Sequence, residues 1–527
     1  MLCKRGDVMK KLDGLEYLKL SKWDKFVYRF LSFFAAIPGK LLGLLKRIGG
    51  FFKGIGLGIG RECKDLVTTF VQGDWKTKLS YPVMGFGSFA RGQILRGLMF
   101  FVFEAAFVFY MFFVDIVIPP HHGGLYWLRM LPTLGTKGAE IVESTSRFGS
   151  VTKTTVYHDN SFKILLYGVL TLFFVVAFLY TWRANVRQNK ISEQILKTGK
   201  PLRSGRDDLR SLVDDNFHKT LLALPLTGIL VFTVMPIFFM ILVAFTNYDF
   251  DHDGLNTLFQ WDGLAGFKEM LTWEGGGVKY SAAFGEVLTW TLIWAFFATF
   301  TNYFLGIFVA MMINKKGIKL KKLWRTVLVL TIAIPQFISL LFVHQLFEKN
   351  GIVNGVLIDL GIISKAIDWW NDPTKTRILV ILINIWIGIP YLMLIATGIL
   401  MNIPADLYES AKIDGASGWK QFSKITLPYM LFITGPYLLT SFTGNMNNFN
   451  VIYLLTTGGP VNASLSGTSN VGHTDLLITW LFKLTTGVNQ KYYLASVVGI
   501  MVFLVVAVIS LVVYNLLPSV KNEEDFQ

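Results

Sequence analysis

Apolar residues fall along this chain in long blocks, separated by short charged or glycine-rich stretches. A bilayer core about 30 Å thick needs roughly twenty apolar residues in a helix. Eight blocks meet that length or nearly so: Ile94 to Ile118, Phe162 to Trp182, Thr220 to Phe245, Leu288 to Ile313, Leu323 to Phe347, Ile378 to Leu400, Leu427 to Phe449 and Tyr493 to Leu517. The pattern predicts an all-α polytopic membrane protein with about eight transmembrane helices.

The polar stretches between the blocks alternate in charge. Arg183 to Lys219 carries nine Lys or Arg and Lys315 to Arg325 carries six, whereas Asp249 to Glu286 has only Lys268 and Lys279. Lys and Arg are retained on the cytoplasmic side during insertion. Both chain ends are therefore expected inside, along with the stretch from Leu400 to Thr426.

Composition agrees with this reading. Of 527 residues, 53% are hydrophobic and 16% charged, with a mean hydropathy of +0.49, which argues against a soluble globular protein and against disorder. The net charge of +15 follows from the retained cations and calls for no nucleic acid. Cys3 and Cys63 form neither a disulfide framework nor a metal-ligand spacing, and no metal site is expected.

The chain divides into residues 1–91, a basic amphipathic region; 92–219, two membrane helices with an outer loop and a basic cytoplasmic linker; 220–518, the main transmembrane domain; and a cytoplasmic tail, 519–527. Lys25 to Lys64 interleaves Phe, Leu and Ile with Lys40, Lys46, Arg47, Lys53 and Arg61, which suits a segment lying on anionic membrane lipid. A ninth span there is the rival reading, and it would reverse the N-terminus.

Three late blocks contain helix breakers, expected where backbone lines a cavity. They are Ile334-Pro335-Gln336, Gly388-Ile389-Pro390-Tyr391 and Gly435-Pro436 with Gly444. Near them stand Asn384, Gln336 and the run Asn445-Met446-Asn447-Asn448-Phe449-Asn450. Carboxamides donate and accept at once, so with Trp386, Tyr391 and Phe449 they suit a neutral polyhydroxylated ligand such as a sugar. Amides that merely bridge helices are the plainer alternative. Glu104, Asp115, His344 and the pair His121-His122 read as partnered or solvated groups before transport groups. No G-x-x-x-x-G-K-[ST], H-E-x-x-H or G-x-S-x-G occurs, so no catalytic residue is assigned and no cofactor is expected on this chain.

Residues 402–428 carry the most specific signal. Pro404 suits a first helical turn, Asp406 complements a helix N-terminus, and Gly415 suits the turn that ends the helix. A second short helix is expected near Trp419, with Pro428 opening the next span. Glu409-Ser410-Ala411, three residues, Gly415, nine residues, then Ile425-Thr426-Leu427-Pro428 resembles the EAA loop of inner-membrane permeases of binding-protein-dependent ABC importers, with Ser410 replacing the middle Ala. The resemblance runs from about Leu221 to Leu517 and is closest to the larger, MalF-like permease of maltose and maltodextrin systems. It covers Asp372-Pro373-Thr374, Asn384-Ile385-Trp386, Pro390-Tyr391, Asn447-Asn448-Phe449, Leu454 to Pro460 and Thr474-Asp475-Leu476-Leu477.

The resemblance implies a type I ABC importer permease in a bacterial inner or plasma membrane, paired with a second homologous permease, two ATP-binding subunits and an extracellular solute-binding protein. ATP and Mg would bind on the ATPase subunits. Glu409, Ala411, Asp414, Gly415, Ile425, Leu427 and Pro428 would couple to them, and Asn384, Gly388, Tyr391, Asn445, Asn448 and Gln336 would bind an oligosaccharide. Gly444, Ile332 and Gln336 depart from the maltose type, which leaves another sugar open. A large insertion known in some members is absent between the third and fourth spans, so the loop from Pro119 to Asn160 would share contact with the binding protein. Three other readings remain: a glycerol-phosphate permease, which would want Lys or Arg beside the Asn cluster; a stand-alone secondary sugar carrier; and a membrane-embedded glycan enzyme, which would want a carboxylate pair.

Overall fold

In the computed structural model, the described residues are 56–516, except 119–120, 146–150, 273–279, 316, 466 and 468–469, together with 43, 49, 50, 53 and 54. Most of the segment from Lys25 to Lys64 and the tail 519–527 lie outside them. Packing divides the chain into two units, residues 1–123 with 173–223 and residues 124–172 with 224–527.

Helices account for every apolar block. They are α1 (Ile94–Val117), α2 (Ser161–Lys197), α3 (Phe217–Val243), α4 (Tyr280–Asn314), the pair α5 (Lys321–Ala333) and α6 (Gln336–Leu346), α7 (Pro373–Leu400), α9 (Leu427–Met446) and α12 (Tyr492–Leu516), with α8 (Ala405–Ile413), α10 (Phe449–Thr456) and α11 (Leu477–Thr486) as shorter elements. Among the described residues, seven helices are long and apolar enough to cross a membrane, and the bent pair α5–α6 makes an eighth crossing if it is one span. At 1.5 Å per residue the 37-residue α2 runs about 55 Å, well beyond a 30 Å hydrocarbon core. Its basic second half, from Arg183 on, therefore extends out of the lipid.

The breakers act differently from the expectation. Ile334-Pro335 separates α5 from α6, which are bent by 92°, so the fifth span is not one straight helix from Leu323 to Phe347. Pro390 and Pro436 instead sit inside the continuous helices α7 and α9. Neighbouring helices hold such a proline in line where packing re-satisfies the backbone around it. The seventh span stops at Met446, and its break falls at Asn447-Asn448 rather than at Gly435-Pro436.

In the first unit, the Arg91 side chain is fully buried and bonds Asp74 at 2.6 Å, Thr77 Oγ1 at 2.7 Å and Asn189 Oδ1 at 2.8 Å. That satisfies a charge which would be costly to bury alone. Glu104 accepts from Met84 N at 2.7 Å, and Asp115 from Gly123 N at 2.6 Å, so both carboxylates hold turns.

In the second unit, α4, α7 and α9 form a three-helix core around Tyr303, Ile307, Met393, Ala396 and Met430. Small residues permit close approach: a Cβ on Gly306 would stand 2.6 Å from Leu392 Cβ. Tyr303 and Thr434 join α4 to α9 by a 2.7 Å hydroxyl bond. An antiparallel hairpin, β1 (Glu140–Thr145) and β2 (Val151–Val156), lies outside the spans, where hydropathy predicts only loop. The loop carrying it is tied to the loop after α3, since Trp261 Nε1 donates to Leu131 O at 2.9 Å and Ser161 N to Gly254 O at 2.8 Å.

Candidate functional site

Pro335 creates the first feature. The residue before a proline favours extended backbone, and proline itself suits a helix start. Ile334 is accordingly extended, Pro335 is the N-cap of α6, and the helix restarts at Gln336. The bend opens a cleft of about 320 Å³ against α7, lined by Thr331, Ile332, Gln336, Ser339, Trp386 and Tyr391 among others. Gln336 and Tyr391, both expected site residues, thus meet in one space. Trp386 and Tyr391 are exposed, and Tyr391 lies 6.5 Å from Tyr437 between ring centroids.

Asn384 and Gly388 are one helical turn apart on α7 and both face α4. A Cβ on Gly388 would overlap the Asn302 carboxamide. Asn302 Nδ2 donates to Ala298 O at 2.8 Å and reaches Asn384 O at 3.5 Å. Asn302 and Asn384 are each 6% exposed, and Asn302 Oδ1 and Asn384 Nδ2 have no protein partner among the described residues. Buried amides almost always bond. This pair therefore holds polar capacity in reserve inside a helix interface. Sequence reasoning missed Asn302, although an Asn in the middle of an apolar span is a visible signal.

Asn445 and Asn448 belong to a ladder. Asn445 Nδ2 donates to Thr299 Oγ1 at 3.0 Å, and Asn448 Nδ2 donates to Asn445 Oδ1 at 3.4 Å. Asn448 Oδ1 accepts from Val451 N at 3.3 Å and so caps α10. Trp294 Nε1 completes the set by donating to Asn445 O at 3.1 Å. These asparagines thus bridge helices as well as lining the break. A carboxamide has two N–H groups and two acceptor lone pairs, so each keeps bonding capacity beyond this ladder. Gly444 beside them faces open space.

The segment 402–428 folds as two short helices. Pro404 is the N-cap of α8, Asp406 lies in its first turn, and Glu409 and Ala411 lie within it. Asp414 is its C-cap, and Gly415 turns the chain at φ +71°, where other residues are strained. Ser417 caps the helix Gly418–Gln421, a turn of π-helix (Phe422–Thr426) containing Ile425 follows, and Leu427 and Pro428 open α9. Tyr408 OH and Thr426 Oγ1, 2.9 Å apart, clasp the two arms. At the tip, Ile413 is 88% and Trp419 75% exposed.

Residues 302–522 match the family model described as binding-protein-dependent transport system inner membrane component. The chain is 31% identical over 459 residues to the maltodextrin transport system permease protein MalC of Streptococcus pneumoniae serotype 4, a match covering 85% of this chain and 97% of that protein. It is 33% identical over 456 residues to the maltodextrin transport system permease protein MdxF of Bacillus subtilis, with 85% and 97% covered. Identity to the galactooligosaccharides transport system permease protein GanP of the same organism is 32% over 444 residues, with 84% and 97% covered.

Proposed function

The chain belongs to the family of binding-protein-dependent transport system inner membrane components, and on that premise we propose that it forms half of a pathway importing an oligosaccharide of the maltodextrin class. The observation that carries this reading is the cleft at the α5–α6 bend, which gathers Gln336, Trp386 and Tyr391. Aromatic faces stack on the apolar faces of sugar rings, and carboxamides bond the hydroxyls. Gln336, Asn445 and Asn448 supply the carboxamides. Asn384 and Gly388 act one layer back, seating α7 on α4. The maltodextrin permeases among the relatives support the class of cargo.

The basic stretches 183–219 and 315–325 favour a cytoplasmic position for the knob at 402–428 and for both chain ends. Exposed Ile413 and Trp419 at its tip then enter a cleft on an ATPase subunit, because apolar groups displayed this way mark a contact surface. The cycle runs on nucleotide held by two such subunits, and this chain holds neither ATP nor Mg. Closure of the ATPases moves the knob, Gly415 and the Tyr408–Thr426 clasp transmit the motion to α9, and the pathway opens outward. Sugar arrives from a solute-binding protein seated on the opposite face, where the loop carrying β1 and β2 joins the loop after α3. A second homologous permease supplies the other wall.

A second reading keeps the importer and changes the sugar. Gly444 opens onto empty space, which widens the site, and a galactooligosaccharide permease is among the relatives. A phosphorylated ligand is disfavoured, since the described cleft lining contains neither Lys nor Arg.

The test is uptake of labelled maltotriose by cells lacking this gene, then complemented with it, alongside a strain whose partner ATPase is inactive. Uptake that needs both the gene and the ATPase supports the proposal. Uptake restored by the gene without the ATPase would replace it with a stand-alone carrier, and uptake indifferent to the gene would shift the cargo to other oligosaccharides.

A further inference from the structure

Immediately after Asn448 an aromatic series begins. Phe449 stacks on Tyr453 with centroids 4.8 Å apart, and Phe482 of α11 meets them edge-on at 5.1 and 5.4 Å. Tyr453 and Phe482 line a cleft of about 330 Å³ together with Thr457, Asn470, Lys483 and Thr486. A larger cavity of about 670 Å³ adjoins it, sharing Asn470, Lys483 and Thr486.

Lys483, which lines both spaces, is neutralised and fixed. Lys483 Nζ lies 2.6 Å from Asp475 Oδ2 and donates to Asn470 O at 3.3 Å. Asp475 is completely buried and also accepts from Gly472 N at 2.7 Å and Thr479 Oγ1 at 2.8 Å. Gly458 passes so close to this carboxylate that a side chain there would overlap it. A paired lysine offers hydrogen-bond donors without a net charge to select anions. Two half-buried aromatic rings beside amide and hydroxyl groups and a charge-paired ammonium make a surface for a neutral polyol.

We infer that this cleft is a second, outer subsite for the same oligosaccharide, a step that rests on the sugar-import reading above. Five residues of helix separate Asn448 from Tyr453, about 7.5 Å along the axis. Rings seated from the α5–α6 cleft up to Asn448 stop short of the Tyr453–Phe482 pair, and a longer chain that runs on past Asn448 reaches it. The outer subsite grips long chains as they enter and threads them toward the α5–α6 cleft.

The test compares uptake of maltotriose and maltoheptaose in cells carrying the complete importer with wild-type, Tyr453→Ala, Phe482→Ala or Tyr453→Phe chains, each normalised to membrane-inserted protein. Loss of one stacking ring is worth roughly tenfold. Maltoheptaose uptake is expected to fall about tenfold in each alanine variant, with maltotriose within about twofold of wild type and Tyr453→Phe close to wild type for both. Equal losses for the two sugars would overturn the subsite and assign these rings to folding or to docking of the binding protein. No loss for either would overturn it as well. Failure of the wild-type chain to carry either sugar would bring down the maltodextrin reading itself, and the subsite with it.

Discussion

Gly388 on α7 lies directly against the carboxamide of Asn302 on α4, with no room for a β-carbon between them. Residues 86 positions apart in sequence thereby hold α4 and α7 at a separation that only glycine permits. Gly388→Ala is expected to force α7 outward, at a cost of about 1–3 kcal/mol, and to lower both sugar uptake and the thermal stability of the purified importer. Asn302→Ala in the same chain removes the obstructing amide and should restore most of both. A Gly388→Ala chain with unchanged stability and uptake would show that the contact carries no weight.

Asn448 has two separable duties, since its Oδ1 caps α10 and its Nδ2 joins the ladder to Asn445. Loss of an N-cap costs about 1 kcal/mol, and serine replaces asparagine there at little expense. Asn448→Ser should therefore keep the fold while removing the amide. We expect normal thermal stability with maltotriose uptake reduced at least about tenfold, the equivalent of ~1.4 kcal/mol of lost binding. Full uptake by Asn448→Ser would reduce this residue to a cap.

Gly415 turns the knob at φ +71°, while proline fixes φ near −65°. Gly415→Pro is expected to leave membrane insertion intact but to disconnect ATP hydrolysis from transport. The measurement is the ratio of ATP hydrolysed to sugar moved in reconstituted vesicles. A ratio equal to wild type would refute the docking role of residues 402–428.

The loop bearing β1 and β2 depends on Asp159. Burial works against ionisation of its carboxyl, but hydrogen bonds from Thr136 N, Lys137 N, Thr136 Oγ1 and Tyr126 OH outweigh burial and hold it below the usual carboxylate range. A depressed carboxylate contributes stability that is complete above the unfolded value, about 3.9, and disappears as pH falls through the folded one. Protection of the backbone amides of residues 131–145 and 151–161, taken relative to their intrinsic exchange rates, should hence be high from pH 7 to about 4.5 and be lost below about 3.5, with Asp159→Asn poorly protected throughout. Equal protection of both proteins at neutral pH would discount this carboxylate.

Much of the molecule was legible in its sequence. Eight apolar blocks predict most ends of the membrane-crossing helices to within a turn or two, because partition of a segment into lipid depends on its own composition and length, although α2 runs on from Trp182 to Lys197 and α4 begins at Tyr280 rather than Leu288. The knob was equally readable: Pro404, Asp406, Gly415 and Pro428 act through local backbone geometry, which needs no distant partner. Pairings across the fold were not readable. Pro335 and Pro390 look alike in sequence, yet one bends a span by 92° and the other sits inside a continuous helix. The difference lies in which neighbours pack around each.

Hydropathy and local propensity thus determined where this chain crosses a membrane and where it turns, and the residues from Glu409 to Pro428 determined which family it resembles. Tertiary structure alone decided that Gln336 shares a cleft with Tyr391, that Gly388 faces Asn302, and that the asparagines after Gly444 hold helices together while lining the break. The first set are properties summed along a segment. The second are contacts between residues far apart in sequence, fixed only when close-packed helices choose which faces meet.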